Sequence, residues 1–165
     1  MSRRRDRGQA LLEFAVVLPV FMAIFFGIVD FGRVVWANNS LTNAASEAAR
    51  FAIVHGGSVN TPCPIGPTLR PSETIPAAGS SCPYPSPSKQ AIVDTATGYA
   101  IAGGLPITVT VCYGVGCTGD ADTGTNARGT PITVVVSSSV TLFTPSLLGM
   151  TSFAVSGTST MLVNH

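Results

Sequence analysis

From Phe14 to Val29 the chain carries no charged residue. A helix drawn through this run is apolar all the way round, with no polar stripe to face water. Adding Ala10–Leu12 and Phe31–Trp36, interrupted by Glu13, Asp30 and Arg33, takes the stretch past the roughly 20 residues that a bilayer crossing needs. The pattern therefore predicts a transmembrane helix over 9–37. A cleaved secretory signal fits less well: the apolar run is too long, it contains Pro19, and Val35-Trp36-Ala37 is a poor small-x-small site. Pro19 lacks an N–H, which leaves the carbonyl of Ala15 without its helical partner and predicts a bend there.

At Leu41 the period becomes amphipathic. Leu41, Ala44, Ala45, Ala48 and Ala52 recur at helical spacing, so the membrane helix is expected to continue through 38–55 and to end at Gly56-Gly57. An alanine stripe lets another backbone come close. Phe51 and Ile53 are expected to pack on the protein's own sheet, and Glu47 with Arg50 is available as a pair. Residues 56–165 then form one extracytoplasmic α+β domain. It opens with a Pro/Ser-rich loop over 58–88, in which no period survives. A second helix is expected over Lys89–Ala102, carried by Ala91, Ile92, Ala96, Tyr99 and Ala100 and ended by Gly103-Gly104. Three alternating segments follow: Ile107, Val109 and Val111; Ile132, Val134, Val136, Val140 and Leu142; and Phe153, Val155, Met161 and Val163. Alternation with small hydroxyl residues predicts an antiparallel sheet with one buried face.

Charge sets the orientation. Only 10% of the 165 residues are charged, against roughly 25% in an ordinary soluble domain. Residues 1–8 hold four arginines against Asp6, a balance of +3, while the rest of the chain balances at −2. Basic residues beside a membrane segment stay in the cytoplasm. The leader 1–8 is therefore expected inside and the C-terminal domain outside, with Asp30 and Arg33 pairing at the outer interface beside Trp36. The arginine run is too short to be a nucleic-acid surface, which needs basic residues clustered on a folded face.

Glu13 needs an explanation, because a carboxylate near hydrocarbon costs on the order of 3 kcal/mol at mid-bilayer. A nearby arginine in the headgroup region is one partner for it. Basic residues, then Gly8, four residues, then Glu13 and Phe14 resemble the processing site of type IV prepilins. More specifically, Arg7-Gly8-Gln9-Ala10-Leu11-Leu12-Glu13-Phe14-Ala15-Val16-Val17-Leu18-Pro19 resembles the opening of the TadE-like family of tight-adherence (Flp-type) pilus assembly proteins. So do Phe26-Gly27-Ile28-Val29-Asp30-Phe31-Gly32-Arg33 and Asn43-Ala44-Ala45-Ser46-Glu47-Ala48-Ala49-Arg50. The resemblance is dense from Arg7 to about Val54. Phe14 stands where the family often has tyrosine.

The resemblance implies a pilin-like fold, a long transmembrane-then-amphipathic helix laid on a small antiparallel sheet. It implies a pseudopilin or minor pilin of a bacterial inner membrane, cut between Gly8 and Gln9 by a prepilin peptidase. Its further partners would be other pilins and the pilus assembly platform. Glu13 would pair with the new amine of Gln9, its own or a neighbour's, and so set helix register. The alternative is a single-pass anchored binding domain that is never processed.

Four cysteines allow three pairings. Cys63 with Cys82 and Cys112 with Cys117 are favoured because both bridges are local and an exported domain sits where disulfides persist. A zinc site is disfavoured, since there is no C-x-x-C and His55 and His165 lack metal-site spacing. Gly114-Val115-Gly116-Cys117-Thr118-Gly119 satisfies G-x-G-x-x-G, but a loop follows it instead of the helix that a dinucleotide needs. Asp120–Asn126 resembles a calcium loop without its later ligands and is expected to be a solvated hairpin loop. With no catalytic constellation and no cofactor motif, the sequence points away from an enzyme.

Overall fold

The computed structural model describes residues 3–56, 66, 89–101, 104, 106–143 and 152–164, with backbone alone for 3–8 and 101. Two helices, α1 (Arg3–Val54) and α2 (Gln90–Ile101), precede three strands, β1 (Ile107–Tyr113), β2 (Pro131–Val140) and β3 (Phe153–Leu162). The strands form one antiparallel sheet in the order β1-β2-β3, and α1 packs on it, which is the α+β layout expected. Two compact units result: Met1–Trp36 with Val140–Phe153, and Ala37–Ser139 with Ala154–His165. Helix α1 is continuous through Pro19 and contributes to both.

In the second unit the small residues of α1 do the packing. Ala37, Leu41, Ala44, Ala45, Ala48, Ala49 and Ala52 are all buried. Phe51 and Ile53, expected to face the sheet, are only half-buried. Phe51 instead stacks on His55, with ring centroids 4.3 Å apart, and His55 Nδ1 lies 2.8 Å from the Phe51 carbonyl oxygen. The reason is distance. A methyl group on the facing side lets the helix backbone settle close to the strand backbone, and large side chains there would hold it away. The approach is closest at Gly157 of β3, where an added Cβ would run into the backbone of Leu41 and Thr42. Further along, Asn164 N–H donates to the carbonyl of Ile53 at 3.2 Å. Strand β3 therefore follows α1 from Leu41 to Ile53.

The strand periods hold at their centres and fail at their ends. Ile132, Val134, Val136 and Val140 are buried as expected, joined by Ser138, whose hydroxyl donates to the carbonyl of Pro106 at 2.7 Å. Leu142 lies beyond β2 and is half-buried. In β1 only Val111 of the expected three is fully buried, while Cys112 and Tyr113 are buried next to it. In β3 Val155 is buried, as is Val163 just beyond it, but Phe153 is exposed. Helix α2 buries Ala91, Ile92, Ala96 and Ala100 and leaves Tyr99 half exposed. The glutamate–arginine pair on α1 forms, with Glu47 and Arg50 3.3 Å apart at the surface. The loop 58–88 except Gly66, Cys63, Cys82, Gly57, Gly103 and Leu147-Leu148-Gly149-Met150 lie outside the described residues.

The close contact at Gly157 gives a direct test. Gly157→Ala should lower stability by about 1–3 kcal/mol, the usual cost of overpacking. Gly98→Ala, on α2 with open space around the new Cβ, should instead add about 0.5–1 kcal/mol through helix propensity. Urea denaturation of the detergent-solubilised chain, followed by circular dichroism, measures both.

Candidate functional site

The N-terminal half of α1 presents its side chains outward. Its segment from Gln9 is long and apolar enough to cross a membrane, and none of its most apolar window is buried within the chain. Leu11, Phe14, Val17, Val20, Ile24 and Ile28 are all more than half exposed. In water this surface would be untenable, since monomeric soluble proteins rarely expose apolar patches above a few hundred Å². Gly8 and Gln9 lie within the helix, and Glu13 is exposed on it.

Asp30 and Arg33, expected as an interfacial pair, both reach the chain that leaves β2. Asp30 is only 5% exposed, and its Oδ1 accepts the Phe143 N–H at 3.0 Å. Arg33 donates to the Thr141 carbonyl at 3.0 Å, and its guanidinium carbon lies 5.3 Å from the centre of the Phe143 ring. That ring is in turn 6.3 Å from the ring of Phe26. Two backbone groups, the carbonyl of Thr141 and the N–H of Phe143, are thus held by charged side chains one turn apart on α1. Nothing in the sequence pointed to Phe143. Its partners lie more than 100 positions away, and no local period marks it.

A second cluster lies at the free edge of β1. Val111 N–H donates to Asp120 Oδ1 at 3.0 Å, and Tyr113 N–H donates to Asp122 Oδ1 at 2.9 Å. The Tyr113 carbonyl accepts from both Thr123 and Gly124. The loop 120–124 therefore runs along β1 as a substitute strand and is not merely a solvated hairpin loop, as the sequence suggested. The spacing carries the signal: aspartates two apart match strand residues two apart. Gly114 makes the turn, at φ +114°, in a space where a Cβ would strike Thr123 and Gly124. The Cys112–Cys117 disulfide closes the same turn.

Lys89 completes this edge. Its ammonium lies 2.8 Å from Asp122 Oδ2 and donates to the carbonyls of Val111 and Asp120 at 2.7 and 3.1 Å. Three oxygens converge on it, so a side-chain cation stands where the loop's resemblance to a calcium site would place a metal. Among the described residues no three His, Cys, Asp or Glu side chains are grouped to hold a metal ion. Tyr113 is fully buried, and among the described residues its hydroxyl has no hydrogen-bond partner. Burial first, and the nearby Asp122 carboxylate second, push its phenol well above the ordinary value.

Lys89 and Asp122 are each about one-fifth exposed, so removing one leaves the other poorly solvated. Lys89→Met should lower stability by about 1–3 kcal/mol, and adding Asp122→Asn should recover part of the loss in a double-mutant cycle. Tyr113 makes its contribution on the alkaline side. An unfolded tyrosine ionises near pH ~10 and the folded one higher, so this stabilisation is full below pH ~10 and is lost as pH rises beyond it. Absorbance at 295 nm should show one of the three tyrosines ionising only with alkaline unfolding. Tyr113→Phe should abolish that late step.

No curated protein and no solved structure matches the chain. One family model does, over residues 8–50, the part of α1 that begins at the glycine before Gln9 and ends at the Glu47–Arg50 pair. That model is of the TadE-like proteins, the family which the sequence resembles, and a TadE-like segment of this extent on a long apolar helix fits a membrane protein associated with the tight-adherence pilus.

Proposed function

We propose that this chain is a pseudopilin or minor pilin that takes part in assembling a tight-adherence pilus at a bacterial inner membrane. The observation that carries this reading is the pairing of the TadE-like match over 8–50 with a helix surface that is apolar, exposed and unfilled by the rest of the chain. Such a surface has two uses, contact with lipid and contact with the helices of other subunits. In a filament the second replaces the first.

Glu13 fits the same scheme. A prepilin peptidase cutting after Gly8 would leave the helix in place and create an α-amino group at Gln9, cationic or nearly so at neutral pH. Glu13 follows four residues later, one turn along an α-helix. A carboxylate at the edge of an apolar layer is costly alone and much less so when paired. An amine of its own chain or of a neighbour provides that pair, and only at one axial offset between packed helices. Arginines 3, 4, 5 and 7 hold the leader in the cytoplasm until it is removed. Residues 38–165 then lie outside, where the Cys112–Cys117 disulfide is maintained.

Intact mass and N-terminal sequencing of the chain recovered from its native membrane test this. The mature chain should begin at Gln9, and Glu13→Ala should be cut normally yet fail to support pilus assembly. A chain that keeps residues 1–8, with Glu13→Ala indistinguishable from wild type, would instead indicate an unprocessed anchored binding domain.

A further inference from the structure

We infer that Phe143 inserts into the outer leaflet beside Phe26, making the chain that leaves β2 a second point of contact with the lipid bilayer. The inference rests on the membrane reading of α1 and is independent of processing or pilus assembly.

Depth is the first support. The charge-free run Phe14–Val29 has 16 residues, about 24 Å of helix, whereas the hydrocarbon core is about 30 Å thick. The apolar layer must therefore extend past one end of the run, and Glu13 at the inner end is exposed while Asp30 at the outer end is buried. The fold thus prepares Asp30, not Glu13, for low-dielectric surroundings. What shields it includes the Phe143 backbone, whose N–H it accepts. Whatever depth Asp30 occupies, residues 141–143 share it.

The side chain spans this level, between Arg33 on the outer side and Phe26 on the inner. Phe143 packs towards Phe26, which is one turn, about 6 Å, further into the membrane than Asp30. Both rings stay open to the outside, Phe143 at 60% and Phe26 at 40%, and they continue the apolar surface of the helix. Residues 141 and 142 are neither helix nor sheet and Phe143 is helical, and such a junction enters this zone only if its polar backbone groups are answered. Asp30 takes the N–H of Phe143, and Arg33 takes the carbonyl of Thr141. Arg33 also lies against the Phe143 ring, holding it by a cation–π contact that strengthens as water is excluded. The arrangement is a short apolar insertion with its own hydrogen-bond partners, facing lipid.

The test uses the full-length chain in phosphatidylcholine–phosphatidylglycerol vesicles with or without acyl-chain-brominated lipid. Trp36 is the sole tryptophan, so a Trp36→Phe background lets Phe143→Trp, Val20→Trp and Val115→Trp each report one position. Phe143→Trp should lose emission to brominated lipid to an extent comparable with Val20→Trp and resist aqueous acrylamide. Val115→Trp, at a position 84% exposed in the β1 turn, should show the reverse. Quenching at Val20→Trp with only acrylamide acting at Phe143→Trp would overturn the inference and leave the membrane helix standing. No lipid quenching at Val20→Trp would overturn the membrane reading itself. A Phe143→Trp signal shielded from both quenchers would mean that protein, such as a second copy, covers the site, which also overturns it. Hydroxyl-radical labelling of the unsubstituted chain in the same vesicles guards against a folding defect: Phe143 should be protected while Val115 is oxidised, and equal labelling would refute insertion.

Discussion

How near the backbone of α1 can come to the sheet governs much of the second unit. Alanines line the facing side of the helix from Ala37 to Ala52, with Leu41 the one large side chain among them. An alanine buries little apolar area, so this face gains less from the hydrophobic effect than a leucine face would. Its gain lies in proximity: the two backbones approach closely at Gly157 and are hydrogen-bonded between Asn164 and Ile53. Gly157 is the matching concession in β3, because any side chain there would meet the helix backbone. The main hydrophobic volume is supplied from elsewhere, by Ile132, Val134 and Val136 of β2 and by Ile92 of α2.

The same helix serves a different solvent at its other end. There the rule of small residues gives way to Phe, Val, Leu and Ile, most of them exposed. Between these regimes stand Asp30 and Arg33. Their side chains clamp the peptide groups of 141–143. A charged side chain at a boundary between lipid and water is usually described as an anchor for its own helix. Asp30 and Arg33 fix a separate stretch of chain as well.

Elements governed by local pattern were legible in the sequence. The apolar run, the alanine period and the valine alternation of β2 each declare their structure within a dozen residues. Contacts that join distant segments were not. Asp30 was expected to pair with Arg33 at the outer interface, but its further partner Phe143 sits in a stretch with no period of its own. Asp120 and Asp122 looked like solvated loop acids because an edge strand's needs cannot be known before the strand is placed. Phe51 and Ile53 are half-buried, while the alanines beside them are buried completely. Gly157 was visible as a glycine inside a strand, which often marks a close backbone approach, yet the sequence does not say to what. The TadE-like segment was recognisable because its signal is dense and contiguous, and the match over 8–50 coincides with it.

The folded-back loop at β1 has a consequence for crowding. An open strand edge is a template on which another chain can continue the sheet. Along the second half of β1 the outward N–H groups of Val111 and Tyr113 already have carboxylate acceptors, and their carbonyls already have donors from Lys89, Thr123 and Gly124. Copies concentrated in one membrane meet often and in nearly fixed orientation, conditions that favour runaway strand addition. A chain that occupies this edge with its own side chains and loop keeps that part of the sheet closed to a neighbour's strand.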